Sequence, residues 1–200
     1  MMYRRLFLSA FFALSLAFVG ARGASAADDA AGFISELSGK AIQVLGNKQL
    51  SQQDREQQFR TFMTTDFDIP EITQFVLGRY SNSASEQEKQ DFAKLFQEYI
   101  LRTYTNRFAQ YSGEAVKVTG QKPDGATTVV QSQITRPNGA PPVKVDWIVG
   151  KKGSDFRITD VNVEGVSMRL SQRQEFAAII QRNNGSVAAL NQMLKEKIGG

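Results

Sequence analysis

Carboxylates are the only acid–base groups this chain could bring together, because its 200 residues include no histidine and no cysteine. Asp66, Asp68, Asp146, Asp155, Asp160 and Glu164 could in principle supply a general acid and a general base, as carboxylate pairs do in glycoside hydrolysis. Each has a simpler reading. Asp68 stands at a helix start, Asp146 falls on the polar side of a strand and Asp155 lies beside a turn. The missing histidine excludes Ser-His-Asp and Cys-His nucleophilic sites, and His- or Cys-ligated zinc and copper are excluded with it. Gly165-Val166-Ser167-Met168-Arg169 lacks the second glycine of a nucleophile elbow. No glycine-rich phosphate loop is present. The chain reads as a non-enzyme that needs no cofactor and no metal.

What remains is apolar surface. Ser85 with Glu88 is a capping-box signature, and Phe92, Leu95, Phe96, Tyr99, Ile100, Tyr104, Phe108 and Tyr111 follow at three- and four-residue steps. That spacing predicts one long amphipathic helix, about 39 Å at 1.5 Å per residue, with aromatic side chains dominating its buried face. Such a stripe can be ordinary core, or part of it can line a cavity for an apolar ligand. Composition does not separate the two.

The elements that would position this stripe follow from local signals. Asp28–Gly46 reads as a helix with Phe33, Leu37, Ala41, Val44 and Leu45 on one side. Ser51 caps a second helix burying Phe59, Phe62 and Met63; Asp68 caps a third, with Pro70 and Glu71 in its first turn and Gly78 at its end. After Ser112-Gly113 the composition changes to short Val-, Ile- and Thr-rich segments at Ala115–Thr119, Ala126–Arg136, Val143–Val149 and Phe156–Val163. Pro123-Asp124-Gly125, Pro137-Asn138-Gly139 and Lys151-Lys152-Gly153-Ser154 separate them with turn chemistry, which joins antiparallel neighbours. In the fourth segment Phe156 and Ile158 are out of phase with Val161 and Val163, which predicts a bulge and a curved sheet. Ser171 with Gln174 is read as the cap of a helix carrying Phe176, Ile179 and Ile180, and Ser186 as the start of a last one with Leu190 and Leu194 inward. The expected fold class is α+β: a helical N-terminal half whose long helix packs on a curved four-stranded antiparallel meander, cone-like (NTF2-like), closed by C-terminal helices.

Residues 1–26 stand apart. Arg4 and Arg5, the apolar and small run Leu6–Val19, and Ala24-Ser25-Ala26 describe a secretory signal peptide cut near Ala26; the apolar run is short of the roughly 20 residues a bilayer span needs. The expected domains are therefore a signal peptide over 1–26 and a single domain over 27–200, exported and a monomer. The charge of +4 includes Arg4, Arg5 and Arg22; without them 21 basic residues face 20 acidic ones, a net of +1. That balance, with no run of Lys and Arg interleaved with aromatics, argues against nucleic acid as a partner.

Three stretches resemble the MlaC, or toluene-tolerance, family of periplasmic phospholipid-binding proteins. They are Phe67-Asp68-Ile69-Pro70-Glu71-Ile72 running to Val76-Leu77-Gly78-Arg79-Tyr80; the spacing of Phe92, Phe96, Tyr99 and Tyr104; and Phe156-Arg157-Ile158-Thr159-Asp160-Val161 leading into Val163-Glu164-Gly165-Val166-Ser167. Ser81 departs from the pattern, where a second aromatic is common. The resemblance implies a periplasmic carrier that holds a phospholipid's acyl chains in an apolar cavity and maintains outer-membrane lipid asymmetry. Its implied partners are an outer-membrane lipoprotein–porin complex and an inner-membrane ABC transporter complex with a substrate-binding-domain subunit. Hopanoid-associated relatives share much of the pattern, which leaves a hopanoid or another apolar ligand as an alternative cargo. The residues expected to line the cavity are Val145, Trp147, Val149, Ile158 and Val161 on the sheet, with Phe75, Leu77, Tyr80, Phe96, Tyr99 and Tyr104 on the facing helices. A fully packed interaction protein and a carboxylate hydrolase are the rival readings.

Overall fold

The computed structural model describes residues 28–108 and 111–199. The expected signal peptide over 1–26 lies outside the described residues, and so does the side chain of Phe108. The described residues form six α-helices and one sheet: α1 (Asp28–Gly46), α2 (Gln52–Asp66), α3 (Ile69–Leu77), α4 (Glu86–Phe108), β1 (Ala115–Asp124), β2 (Thr127–Thr135), β3 (Val143–Lys152), β4 (Asp155–Val163), β5 (Val166–Ser167), α5 (Met168–Arg182) and α6 (Val187–Gly199). The class is α+β, as expected.

Local chemistry sets the helix boundaries. Ser51 and Asp54 form a reciprocal capping box at α2. Asp68 accepts the Glu71 N–H at α3. Ser85 and Glu88 close the same reciprocal pair at α4, with the Ser85 N–H donating to Glu88 at 2.8 Å. Gly78 ends α3 at φ +53°, where a Cβ would lie 2.7 Å from Arg173 Nε. A short 3₁₀ turn over Gly78–Asn82 then leads to α4. Tyr111, counted in the aromatic stripe, lies beyond the last residue of α4.

The sheet is antiparallel in the order β1-β2-β3-β4-β5, one strand more than the sequence reading. The added strand follows a two-residue turn, Glu164-Gly165, in which both residues have positive φ, the geometry that matches the twist of a hairpin. The expected phase change in β4 is a bulge: Val149 pairs with Ile158 and Ile148 with Asp160, which leaves Thr159 extra. As a result Ile158, Val161 and Val163 all share the face that carries Val145, Trp147 and Val149. Val116, Val118, Val130 and Ile134 extend that face across β1 and β2.

The cap of α5 lies four residues before the Ser171 cap read from the sequence. Ser167 is the cap and accepts the Leu170 N–H, while the Ser171 hydroxyl donates back to the Ser167 carbonyl. The reason is tertiary: β5 delivers Ser167 beside buried Asp160, whose carboxylate accepts the Ser167 hydroxyl at 2.5 Å, the Val161 N–H and the Arg169 N–H.

Two apolar cores result. In one, Ile72, Val76, Leu77, Phe92, Phe96, Phe176, Ile180, Val187, Leu190 and Leu194 join α3, α4, α5 and α6. In the other, Ala30 and Ile34 of α1 meet Val130, Val149 and Ile158 of the sheet. The long helix α4 thus packs mainly on other helices, and α1 is the helix that lies on the apolar face of the sheet. Phe67, at the end of α2, packs against both cores and pairs as an isolated parallel bridge with Ile158.

Candidate functional site

Between α1, α2 and the sheet lies a half-open cavity of about 420 Å³, inside the range of about 300–1,000 Å³ common for small-molecule sites. Its wall follows from the amphipathic pattern of α1, which presents Leu37, Ser38, Ala41, Ile42, Val44 and Leu45. Phe59 and Phe62 of α2 close it together with Phe67, the residue after that helix, and Val116, Ile134 and Trp147 form the floor. Ser38 and Ala41 are the small members of the α1 wall. Trp147 is fixed from behind. Its indole N–H donates to Ser132 Oγ at 2.9 Å, and buried Ser132 donates to the Val145 carbonyl at 3.0 Å.

Apart from Ser38, the polar lining is sparse and gathers where α1 ends and α2 begins. Gln52 and Arg55 come from the first turns of α2, and Glu114 from the segment before β1. Glu114 is folded onto its own turn, accepting the Ser112 N–H at 2.9 Å and the Ser112 hydroxyl at 3.1 Å. The Ser112 backbone N–H is the main cause holding its carboxyl below the ordinary glutamate value. Leu37 and Leu45 lie eight residues apart on α1, so the apolar wall extends about 12 Å from this polar end.

A second depression of about 710 Å³ lies between α3, α4 and the β3–β4 hairpin. It is larger and more polar, with Thr73, Gln74, Lys89, Gln90, Lys152 and Arg157 beside Phe67, Ile69 and Leu77. Its cations are engaged: Lys89 with Glu86, Lys152 with Asp68 and Arg157 with Asp155. An apolar ligand has reason to occupy the smaller cavity, because burial in that lining is what removes hydrocarbon from water.

The residues expected to line a cavity are divided by the structure. Trp147 is in the wall. Val145, Val149 and Ile158 are buried on the same sheet, the last two against Ala30 and Ile34, and Val161 packs against that core. Leu77 and Phe96 are buried in the helical core; Tyr80 and Tyr99 pack on it, and Phe96 and Tyr99 stand edge-on to Phe176. Phe75 lies under the guanidinium groups of Arg169 and Arg173, at 4.3 and 5.1 Å. The Tyr104 hydroxyl is 3.9 Å from the Met168 sulfur. Wall residues that the sequence reading did not assign to a site include Leu37, Ala41, Phe59, Phe62, Val116 and Ile134. Their helical and alternating spacing marked them as buried, but only the placement of α1 on the sheet makes them neighbours.

The candidate carboxylates do not converge on the cavity, and none of them is in its wall. Asp68 caps α3, Asp155 pairs with Arg157, and Glu164 accepts the Lys144 N–H. Asp160 is the buried clasp between β4 and α5.

Comparison with known proteins places this geometry. A phospholipid-binding protein from Ralstonia solanacearum, solved in complex with a phospholipid, has the same fold, with a TM-score of 0.74 over 86% of this chain and 97% of that one at 23% identity. The intermembrane phospholipid transport system binding protein MlaC of Haemophilus influenzae is 25% identical over 111 residues, 54% of this chain and 52% of that protein. Toluene tolerance protein ttg2D of Pseudomonas putida is 26% identical over 110 residues, 54% of this chain and 51% of that protein. The matched part thus spans about half the length of each of these two relatives. The family model described as MlaC protein matches residues 35–196, from the second turn of α1 into the last turn of α6, and the chain belongs to that family.

Proposed function

We propose that this protein is a periplasmic lipid carrier, exported by a signal peptide over residues 1–26 and acting through a single domain over 27–200 as a monomer. The observation that carries the reading is the 420 Å³ cavity with its almost wholly apolar wall, in a member of the MlaC family. Each methylene group moved from water into such a wall gains about 0.8 kcal/mol, so acyl chains need no catalytic group to be held. The relatives' names support a phospholipid as cargo. The cargo passes between an outer-membrane lipoprotein–porin complex and an inner-membrane ABC transporter complex, and that exchange maintains outer-membrane lipid asymmetry. The protein is a binder and not an enzyme; the dispersed carboxylates support that reading.

Native mass spectrometry of the protein purified without detergent tests it, with organic extraction of whatever is bound. The expected result is a mass excess of one diacyl phospholipid, identified in the extract. A bare polypeptide mass that stays bare after incubation with phospholipid vesicles would overturn the carrier reading in favour of an interaction protein.

A further inference from the structure

Arg55 stands out in the wall of the apolar cavity. Five residues further along α2, Arg60 is paired with Glu98, whereas Arg55 forms no ion pair with a described carboxylate. One arm of its guanidinium is fixed, with Nη2 donating to the Asn47 carbonyl at the end of α1 at 3.1 Å. Its Nε is buried and has no acceptor among the described residues. An N–H on a charged group that is shielded from water and left without an acceptor is unfavourable, and native structures seldom keep one without a reason. Gln52, a second polar lining residue, lies one turn earlier on the same helix. Glu114, the other charged residue in the wall, has both its oxygens taken by Ser112.

We propose that Arg55 is the headgroup anchor of the cavity, a guanidinium that binds an anionic oxygen at the polar end while the acyl chains extend along α1 toward Trp147. The inference rests on the carrier reading above and deepens it: the cargo is an anionic-oxygen amphiphile, a phosphodiester lipid first, and not a neutral apolar molecule. Arginine suits this role because its planar fork keeps its charge when half-buried and meets phosphate or carboxylate oxygens with two parallel N–H groups. The Asn47 carbonyl pre-sets the plane of the fork, which lowers the ordering cost on binding.

The test uses vesicles containing equal amounts of phosphatidylglycerol and diacylglycerol with identical acyl chains. The bound ratio of the two is read by native mass spectrometry and extraction. The protein is expected to enrich the phospholipid, and Arg55→Leu to lower the ratio roughly tenfold, the scale of a charge-assisted hydrogen bond lost. Arg60→Gln, which breaks an ion pair on the same helix away from the cavity wall, is expected to leave the ratio unchanged. Should Arg55→Leu fail to fold, Arg55→Lys makes the same comparison with a drop of roughly threefold, since it keeps charge but loses the fork. A ratio equal to that of the parent protein in a folded Arg55 variant overturns the anchor and leaves the carrier reading standing. Failure of the parent protein to bind either lipid overturns both. Adding palmitate to the vesicles separates two sources of the anionic oxygen: if its retention falls in step, the anchor reads carboxylate as well as phosphate, and if not, it reads the phosphodiester. Both results require that phospholipid retention has fallen.

Discussion

The helical half and the sheet half of this protein bury aromatic residues in different ways. In the helical half Phe176 is fully buried, with Phe92, Phe96 and Tyr99 within 6.0 to 6.2 Å, mostly edge-on. Rings packed edge to face leave little volume between them. In the sheet half Trp147, Phe59, Phe62 and Phe67 surround a cavity whose α1 wall includes the small residues Ser38 and Ala41. The same fold thus contains one core closed by side chains and one left open. Aromatic richness alone does not mark a binding site; what matters is whether the facing element carries side chains large enough to meet the rings.

The largest expected effect breaks the closed half. Phe176→Ala removes the ring around which the others are arranged and should cost about 3–5 kcal/mol of stability, read from urea denaturation. Lipid retained per folded molecule should stay near that of the parent protein, since the cavity lies on the other side of Phe67. A retention loss larger than the loss of folded protein would show that the two halves are one functional unit.

The joint between strand and helix comes next. Asp160→Asn withdraws a buried charge that accepts the Ser167 hydroxyl and the N–H groups of Val161 and Arg169. A loss of about 2 kcal/mol is expected, with the start of α5 the first segment to exchange its amide hydrogens. A hydrolase would instead lose activity here and keep its stability.

Much of this architecture is legible in the residues. The caps at Ser51, Asp68 and Ser85, the extent of α1 and the bulge near Thr159 all follow from local hydrogen bonding and alternation. The fifth strand is missed because Val166–Ser167 is only two residues long and its pairing depends on the Glu164-Gly165 turn. The start of α5 is missed because its cap is chosen by Asp160, seven residues back in the chain but in direct contact with Ser167. The site is the least legible part. The stripe of α4 and the stripe of α1 are both amphipathic, and nothing in periodicity states which of them meets the sheet. Arg55 is invisible for a related reason: a lone arginine in a polar first turn looks solvated until α1 folds over it.

A gentler change sharpens the comparison by making the open half resemble the closed one. Ala41→Leu adds apolar volume into the cavity from a helix position where leucine is well tolerated. Because the new atoms enter free space, stability should stay within about 1 kcal/mol of the parent protein, unlike the overpacking of a filled core. Phospholipid retention should fall several-fold in the vesicle assay. Unchanged retention would mean that the acyl chains lie elsewhere or that α1 moves outward to admit them.

The smallest expected effect concerns the tie between the halves. Arg60, on α2 but outside the cavity wall, pairs with Glu98 on α4, part of the helical half, and the same pairing moves both groups' titrations. The Arg60 guanidinium is the main cause holding the Glu98 carboxyl below its ordinary value of 4.5. A carboxyl depressed in the folded state contributes stability in full above its unfolded value, and loses it as pH falls through the folded value. Both side chains remain around 40% exposed, at 42% and 37%, so solvent screening limits the pair to about 0.5 kcal/mol. Glu36, Glu88 and Glu114 are depressed by other partners and add to any loss in acid. The measurement is therefore a difference: the stability gap between the parent protein and Arg60→Gln, followed from pH 7 to pH 3. The gap should be constant at neutral pH and close as pH falls below 4.5 and through the depressed value of Glu98. A gap that persists at pH 3 would assign the role of Arg60 to packing of its stem between α2 and α4, and the two halves would then be joined by apolar contact at this point as they are at Phe67.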